Sequence, residues 1–105
     1  MDKTEVLSIL AHFRKALAKQ GVHNARLMLF GSYAHGNPHE GSDIDLVVVS
    51  DDFAGKDYWQ RIDILTEAIY EVFEPIQAVA VTPDEWSAGD LTICEFAKDG
   101  VEVTA

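Results

Sequence analysis

The chain has 105 residues, 48% of them apolar and 25% charged, a globular composition that excludes disordered and collagen-like classes. Eighteen acids against eight Lys and Arg leave a formal net charge of −10. So few cations disfavour long RNA or DNA as a tightly held substrate, and the charge suits a basic protein partner or carboxylates that collect divalent cations.

In chain order, residues 5–20 predict an amphipathic helix, with Val6, Ile9, Leu10, Phe13 and Leu17 on one side and Gly21 as its C-terminal cap. Residues 26–30 form a short apolar run that predicts a buried strand, ending at Gly31-Ser32. Residues 31–42 hold three glycines, a proline and an asparagine and predict turns. The next strand spans residues 43–49, and its β-branched tail predicts burial on both faces. A polar loop over 51–56 leads to a second amphipathic helix over 57–72. Pro75 breaks that pattern, and Ile76 to Val81 predicts a third strand. Thr82-Pro83-Asp84-Glu85 reads as a helix start closed by a capping box. A short helix around 91–98 and a terminal strand over 101–104 complete a mixed α/β fold, a small sheet covered by helices. No apolar run is long enough to cross a bilayer, no signal-peptide core follows the charged N-terminus, and the lone Cys94 fits a reducing compartment. The expectation is one cytoplasmic domain over residues 1–105, without membrane association.

The chemistry concentrates between Phe30 and Val49. Glycine lets a backbone approach a phosphate closely, and the Ser32 hydroxyl can donate to a phosphate oxygen. In a strand, residues i and i+2 share a face, so Asp43 and Asp45 project together while Ile44 points into the core. Two such carboxylates repel unless a cation lies between them, and hard oxygen ligands suit Mg²⁺ or Mn²⁺. The combination predicts a metal–triphosphate site, with Gly31 and Ser32 on the phosphates and Asp43 and Asp45 on the metal. Taken singly, a Gly-Ser pair is usually only a turn and an Asp-x-Asp a solvated edge. Other chemistries lack their patterns: there is no zinc-ligand spacing, no nucleophile elbow around Ser32, and no Walker or dinucleotide glycine motif. His12, His23, His35 and His39 read as solvent-exposed, Cys94 as a small apolar residue, and Tyr58, Trp59 and Tyr70 as core or partner-facing aromatics.

Gly31-Ser32, ten intervening residues and Asp43-Ile44-Asp45-Leu46 resemble the signature of the DNA polymerase β-type nucleotidyltransferase superfamily. With Ala34, Gly36 and Ser42, the block is similar to the minimal nucleotidyltransferases, small domains often paired with HEPN proteins as toxin and antitoxin. The resemblance extends through Thr82 to Trp86 and Lys98 to Val101. It implies in-line attack of an acceptor hydroxyl on a nucleotide α-phosphorus with release of pyrophosphate, assisted by two divalent ions held by Asp43 and Asp45. It also implies a third carboxylate on the later strand, where this chain has Gln77; Glu74 and, less directly, Asp63 are the nearby acids that could stand in. An arginine common after Gly-Ser in the family is Tyr33 here. The resemblance thus implies Mg²⁺-dependent transfer of AMP from ATP to a protein hydroxyl, by the antitoxin of a HEPN-type toxin. The alternatives are a catalytically weak antitoxin acting by contact alone and the catalytic subunit of a small-molecule nucleotidyltransferase.

Overall fold

A computed structural model describes residues 2–34, 43–89, 97 and 100–103. The first helix, α1 (Lys3–Lys19), starts where the Asp2 side chain accepts the Glu5 N–H at 2.8 Å and ends at Gln20, with Gly21 in the left-handed region just beyond. Val6, Leu10, Phe13 and Leu17 return every three or four residues and are all buried. Strands β1 (Arg26–Phe30) and β2 (Ile44–Val49) pair antiparallel. The chain then crosses through α2 (Tyr58–Val72) to β3 (Ile76–Val81), which lies parallel to β2. Short α3 (Pro83–Ala88) follows, and β4 (Val101–Val103) pairs antiparallel with β1, giving the order β3-β2-β1-β4.

Alternation sorts the strand residues between two faces. Leu27, Leu29, Ile44, Leu46, Val48, Ile76 and Ala80 join the apolar sides of α1 and α2 in the main core. Arg14 of α1 donates to the Ala25 and Val103 carbonyls, tying the helix to the starts of β1 and the end of β4. On the other face Val47, Val49, Val81 and Ala97 form a smaller cluster, with Met28, Phe30 and Trp86 packed against it. The β2 tail is therefore buried on both sides, as its β-branched run predicts. Among the described residues, this second face is closed only toward the Val49 end; toward Asp45 it is open.

Several predicted bounds shift. Asp43 precedes β2 rather than opening it, and Asp57 is the N-cap of α2, closing a capping box with Gln60. Residues 51–56 are not simply a polar loop. Ser50 caps a 3-10 turn over Asp51–Phe53 that drives Phe53 fully into the core, an isolated apolar residue that periodicity does not reveal. The predicted helix around 91–98 lies, apart from the buried Ala97, outside the described residues, as do Gly36, Ser42, Cys94, His35 and His39.

The predicted capping box at α3 is present: Glu85 N donates to Thr82 Oγ1 at 3.2 Å and Thr82 N to Glu85 Oε1 at 2.7 Å. The same Oε1 accepts from Arg61 Nη1 at 2.6 Å, and that nitrogen also donates to the Ala80 carbonyl. One carboxylate thus ties α2, the end of β3 and α3 together. The Arg61 hydrogen bond, then that from Thr82, hold the Glu85 carboxyl below its ordinary value. A lowered folded-state value means stability that is present above the ordinary glutamate range and lost as pH falls through the folded value. Glu85→Ala is expected to lose about 1 kcal/mol at neutral pH, solvent at the partly exposed carboxylate keeping the loss small. Denaturant unfolding of both proteins should show this gap closing on acidification; a gap independent of pH would contradict the linkage.

Candidate active site

The open half of the second face is built by register. Phe30 of β1 pairs with Asp45 of β2, and Asp45 with Gln77 of β3, so the three lie in one row across the sheet. A shallow depression of about 470 Å³ is lined by Phe30, Asp45, Gln77 and Val79, among others. At the end of this row β1 stops and the chain turns through Gly31, Ser32, Tyr33 and Ala34, closed by Ala34 N donating to Gly31 O at 3.1 Å.

Gly31 is required at this turn on two counts. Its φ of +72° is left-handed, and a Cβ there would collide with Asp45 Oδ2 and stand 3.2 Å from Asp45 Cγ. The Asp45 carboxylate therefore lies directly against the Gly31 backbone, in space that only a missing side chain provides. Asp43 and Asp45 are both half-buried, on either side of the fully buried Ile44. Partial burial raises the Asp45 carboxyl above its ordinary value, and the charge of Asp43 pushes it the same way. The two carboxylates thus share an environment in which the charged form of Asp45 is disfavoured, the condition that a divalent cation relieves.

The structure brings Gly31, Asp43, Asp45 and Gln77 together, with Ser32 next along the turn. It does not bring Glu74 or Asp63 to the pair. Among the described residues, no group of three or more His, Cys, Asp or Glu side chains is placed to hold a metal ion. Glu74 instead lines a separate depression with Tyr70 and Phe73 at the end of α2, and Asp63 is an exposed residue of that helix, which packs on the opposite face of the sheet. Gln77, exposed and in register with Asp45, occupies the place on β3 beside the pair. Tyr33 is partly buried against the main core. His12 and His23 are exposed, as the sequence predicts, and so are Tyr58, Trp59 and Tyr70, which excludes the core alternative for these aromatics.

The donors present fit a small hard cation. Magnesium commonly takes one or two carboxylates and completes its shell with water and substrate phosphates, so a two-carboxylate set beside a glycine turn is sufficient for a metal–nucleotide complex.

No helix among the described residues is long and apolar enough to cross a membrane. A candidate nucleotidyltransferase from Sulfolobus solfataricus superposes with a TM-score of 0.70 at 18% identity, over 94% of this chain and 79% of that one. A toxin–antitoxin structure with AMP-PNP gives 0.57 at 22% identity, over 87% and 69%. Another candidate nucleotidyltransferase gives 0.50 at 30% identity, over 71% and 81%. No curated protein matches the chain. The profile of the nucleotidyltransferase domain matches residues 10–84, a stretch that runs from α1 through both aspartates and β3 into α3, and the chain therefore belongs to the nucleotidyltransferase domain family.

Proposed function

We propose that this chain transfers AMP from ATP to a hydroxyl of a partner protein, and that it is the antitoxin of a pair whose toxin is a HEPN-type protein. The observation that carries the catalytic part is the Asp45 carboxylate lying against Gly31, with Asp43 beside it. The toxin–antitoxin neighbour that holds an ATP analogue supports the pairing and the choice of nucleotide.

In this reading the Gly31-Ser32 turn receives the β and γ phosphates, through close backbone approach and the Ser32 hydroxyl. Asp43 and Asp45 hold Mg²⁺ or Mn²⁺, which when bound neutralises phosphate charge and favours attack at the α-phosphorus. The acceptor oxygen bonds to the α-phosphorus, the bond from that phosphorus to the bridging oxygen breaks, and pyrophosphate leaves. Gln77 offers an amide oxygen beside Asp45 but cannot take the hydroxyl proton, which passes to water.

The test combines the chain with the adjacent gene's product, Mg²⁺ and ATP labelled at the α-phosphate. Label is expected on the partner protein and is expected to vanish with Asp43→Asn. One observation favours a second reading: among the described residues two carboxylates gather at the site, with an amide in the third place. If no label transfers and Asp43→Asn still inhibits the partner, the chain acts by contact alone.

A further inference from the structure

Three adjacent depressions follow the outer edge of β3 beside α2 and make up an interrupted trough. Tyr58 and Ile62 line one end, Asp45 and Gln77 the middle, and Tyr70 and Phe73 the other end. Neighbouring depressions share lining residues, Val79 between the first two and Ile69 between the last two. The row therefore runs from an aromatic-lined end, past Asp45, to a second aromatic-lined end.

Three observations make it a docking surface. First, β3 is an edge strand: among the described residues no strand pairs with its outer side, where Arg61 Nη1 donates to the Ala80 carbonyl at one end. The Pro75 and Val81 carbonyls accept from Ile44 N and Ser50 N, toward β2. In a parallel pair the polar groups of alternate residues face opposite ways, so Ile76 and Ala78 turn theirs outward, with Ile76 N already donating to the Glu74 carbonyl at 2.8 Å. Second, the large aromatics along α2 and its end face solvent: Trp59 is 71% exposed, Tyr70 77% and Phe73 84%. Third, Phe73 occupies the left-handed C-cap of α2 at φ +58°. Glycine or asparagine adopts that conformation readily, whereas phenylalanine costs about 1 kcal/mol there. An exposed ring on a strained backbone adds little to this fold, and it lines the depression at that end.

Charge selects the occupant. Asp45 and Glu74 line the two depressions toward the Phe73 end, and Lys56 lines the one at the Tyr58 end. Arg61, at the far end, is engaged by Glu85. A second copy of a chain with net charge −10 would set acid against acid, and a nucleic-acid backbone would be repelled. We propose that the trough binds an extended polypeptide segment of alternating apolar and basic residues, which adds a strand to the free edge of β3. Such a segment passes the Asp45–Gln77 row. That this segment also carries the acceptor hydroxyl rests on the transfer reading above; the docking itself does not.

The probe is a fluorescent nine-residue peptide of alternating lysine and valine around a central tyrosine, titrated into the full chain without nucleotide or metal. It should bind saturably, at least about tenfold tighter than the same peptide with glutamate for lysine. Ala78→Pro removes an outward N–H without touching the β2 ladder and should weaken binding about tenfold, as should Phe73→Gly, which relieves the strained cap. Unchanged thermal unfolding of Ala78→Pro, and unchanged or higher stability of Phe73→Gly, exclude misfolding as the cause. Equal binding of the lysine and glutamate peptides, no saturation up to millimolar peptide, or full binding by both variants overturns the proposal. Self-association of the chain that Tyr70→Glu abolishes overturns it in favour of a second copy. Peptide binding without any nucleotidyl transfer sinks the transfer reading and leaves the docking; transfer to a partner that neither variant impairs does the reverse.

Discussion

Replacing Asp45 with asparagine is expected to lower nucleotidyl transfer by about a thousandfold while leaving the fold intact and slightly more stable without metal. The activity loss follows from removing half of the charged set proposed to hold the cation, whose stabilisation of transferring phosphate is worth several kcal/mol. The stability gain follows from the raised Asp45 carboxyl. Its folded-state value lies above the ordinary one because burial and the Asp43 charge both disfavour ionisation. Such a group gives its full favourable contribution below the ordinary value and loses it as pH rises through the folded value. At neutral pH the ionised Asp45 therefore opposes folding, and asparagine, of nearly the same shape, removes the repulsion. Transfer kinetics and metal-free unfolding of one variant check both halves. A fall in activity accompanied by a fall in stability would indicate that Asp45 is structural, since sites kept for function are commonly those where stability is forgone.

Gly31→Ala should damage both properties. The left-handed φ alone costs an alanine about 1–2 kcal/mol. The added methyl must also turn the Asp45 carboxylate aside: its outer oxygen can swing away, but its backbone is fixed in a paired strand between Phe30 and Gln77, so the clash moves the carboxylate off its place more than it costs stability. Transfer should fall by at least about a hundredfold, since misplacing a reacting group by about an ångström has that effect. The pair Gly31→Ala with Asp45→Gly separates the two terms: it should recover part of the stability and none of the transfer. If Gly31→Ala alone keeps full activity, the close approach of turn and carboxylate is not part of the site.

Much of this molecule is legible in its sequence because local signals and tertiary demands agree. The α1 stripe, the apolar tail of β2 and the Thr82–Glu85 box each carry their own physical signature, and each forms as predicted. The Asp-x-Asp spacing implies a shared face through strand geometry, and the Gly-Ser turn implies a close approach, although not that Asp45 itself fills the space. What stays hidden depends on distant partners. Phe53 has no periodic companion, and its burial is set by the Ser50 cap and the core above it. That β3 rather than β4 or β1 lies at the α2-side edge, and so borders a trough, is a matter of strand order, which no local pattern encodes. Phe73 is the instructive case. It follows directly on the helix predicted over 57–72, and nothing in the sequence signals its left-handed backbone or its exposure.

The most direct measurement is a Mn²⁺ titration of the ¹⁵N-labelled chain in the presence of AMP-PNP, followed by paramagnetic broadening of the backbone amide signals. A cation held between Asp43 and Asp45 with phosphates on the Gly31 turn predicts that Gly31, Ser32, Asp43, Asp45 and Gln77 broaden first and together, and that Asp45→Asn abolishes the effect. Broadening centred instead on Glu74 and Asp63, with the Gly31 and Asp45 signals still sharp, would contradict it.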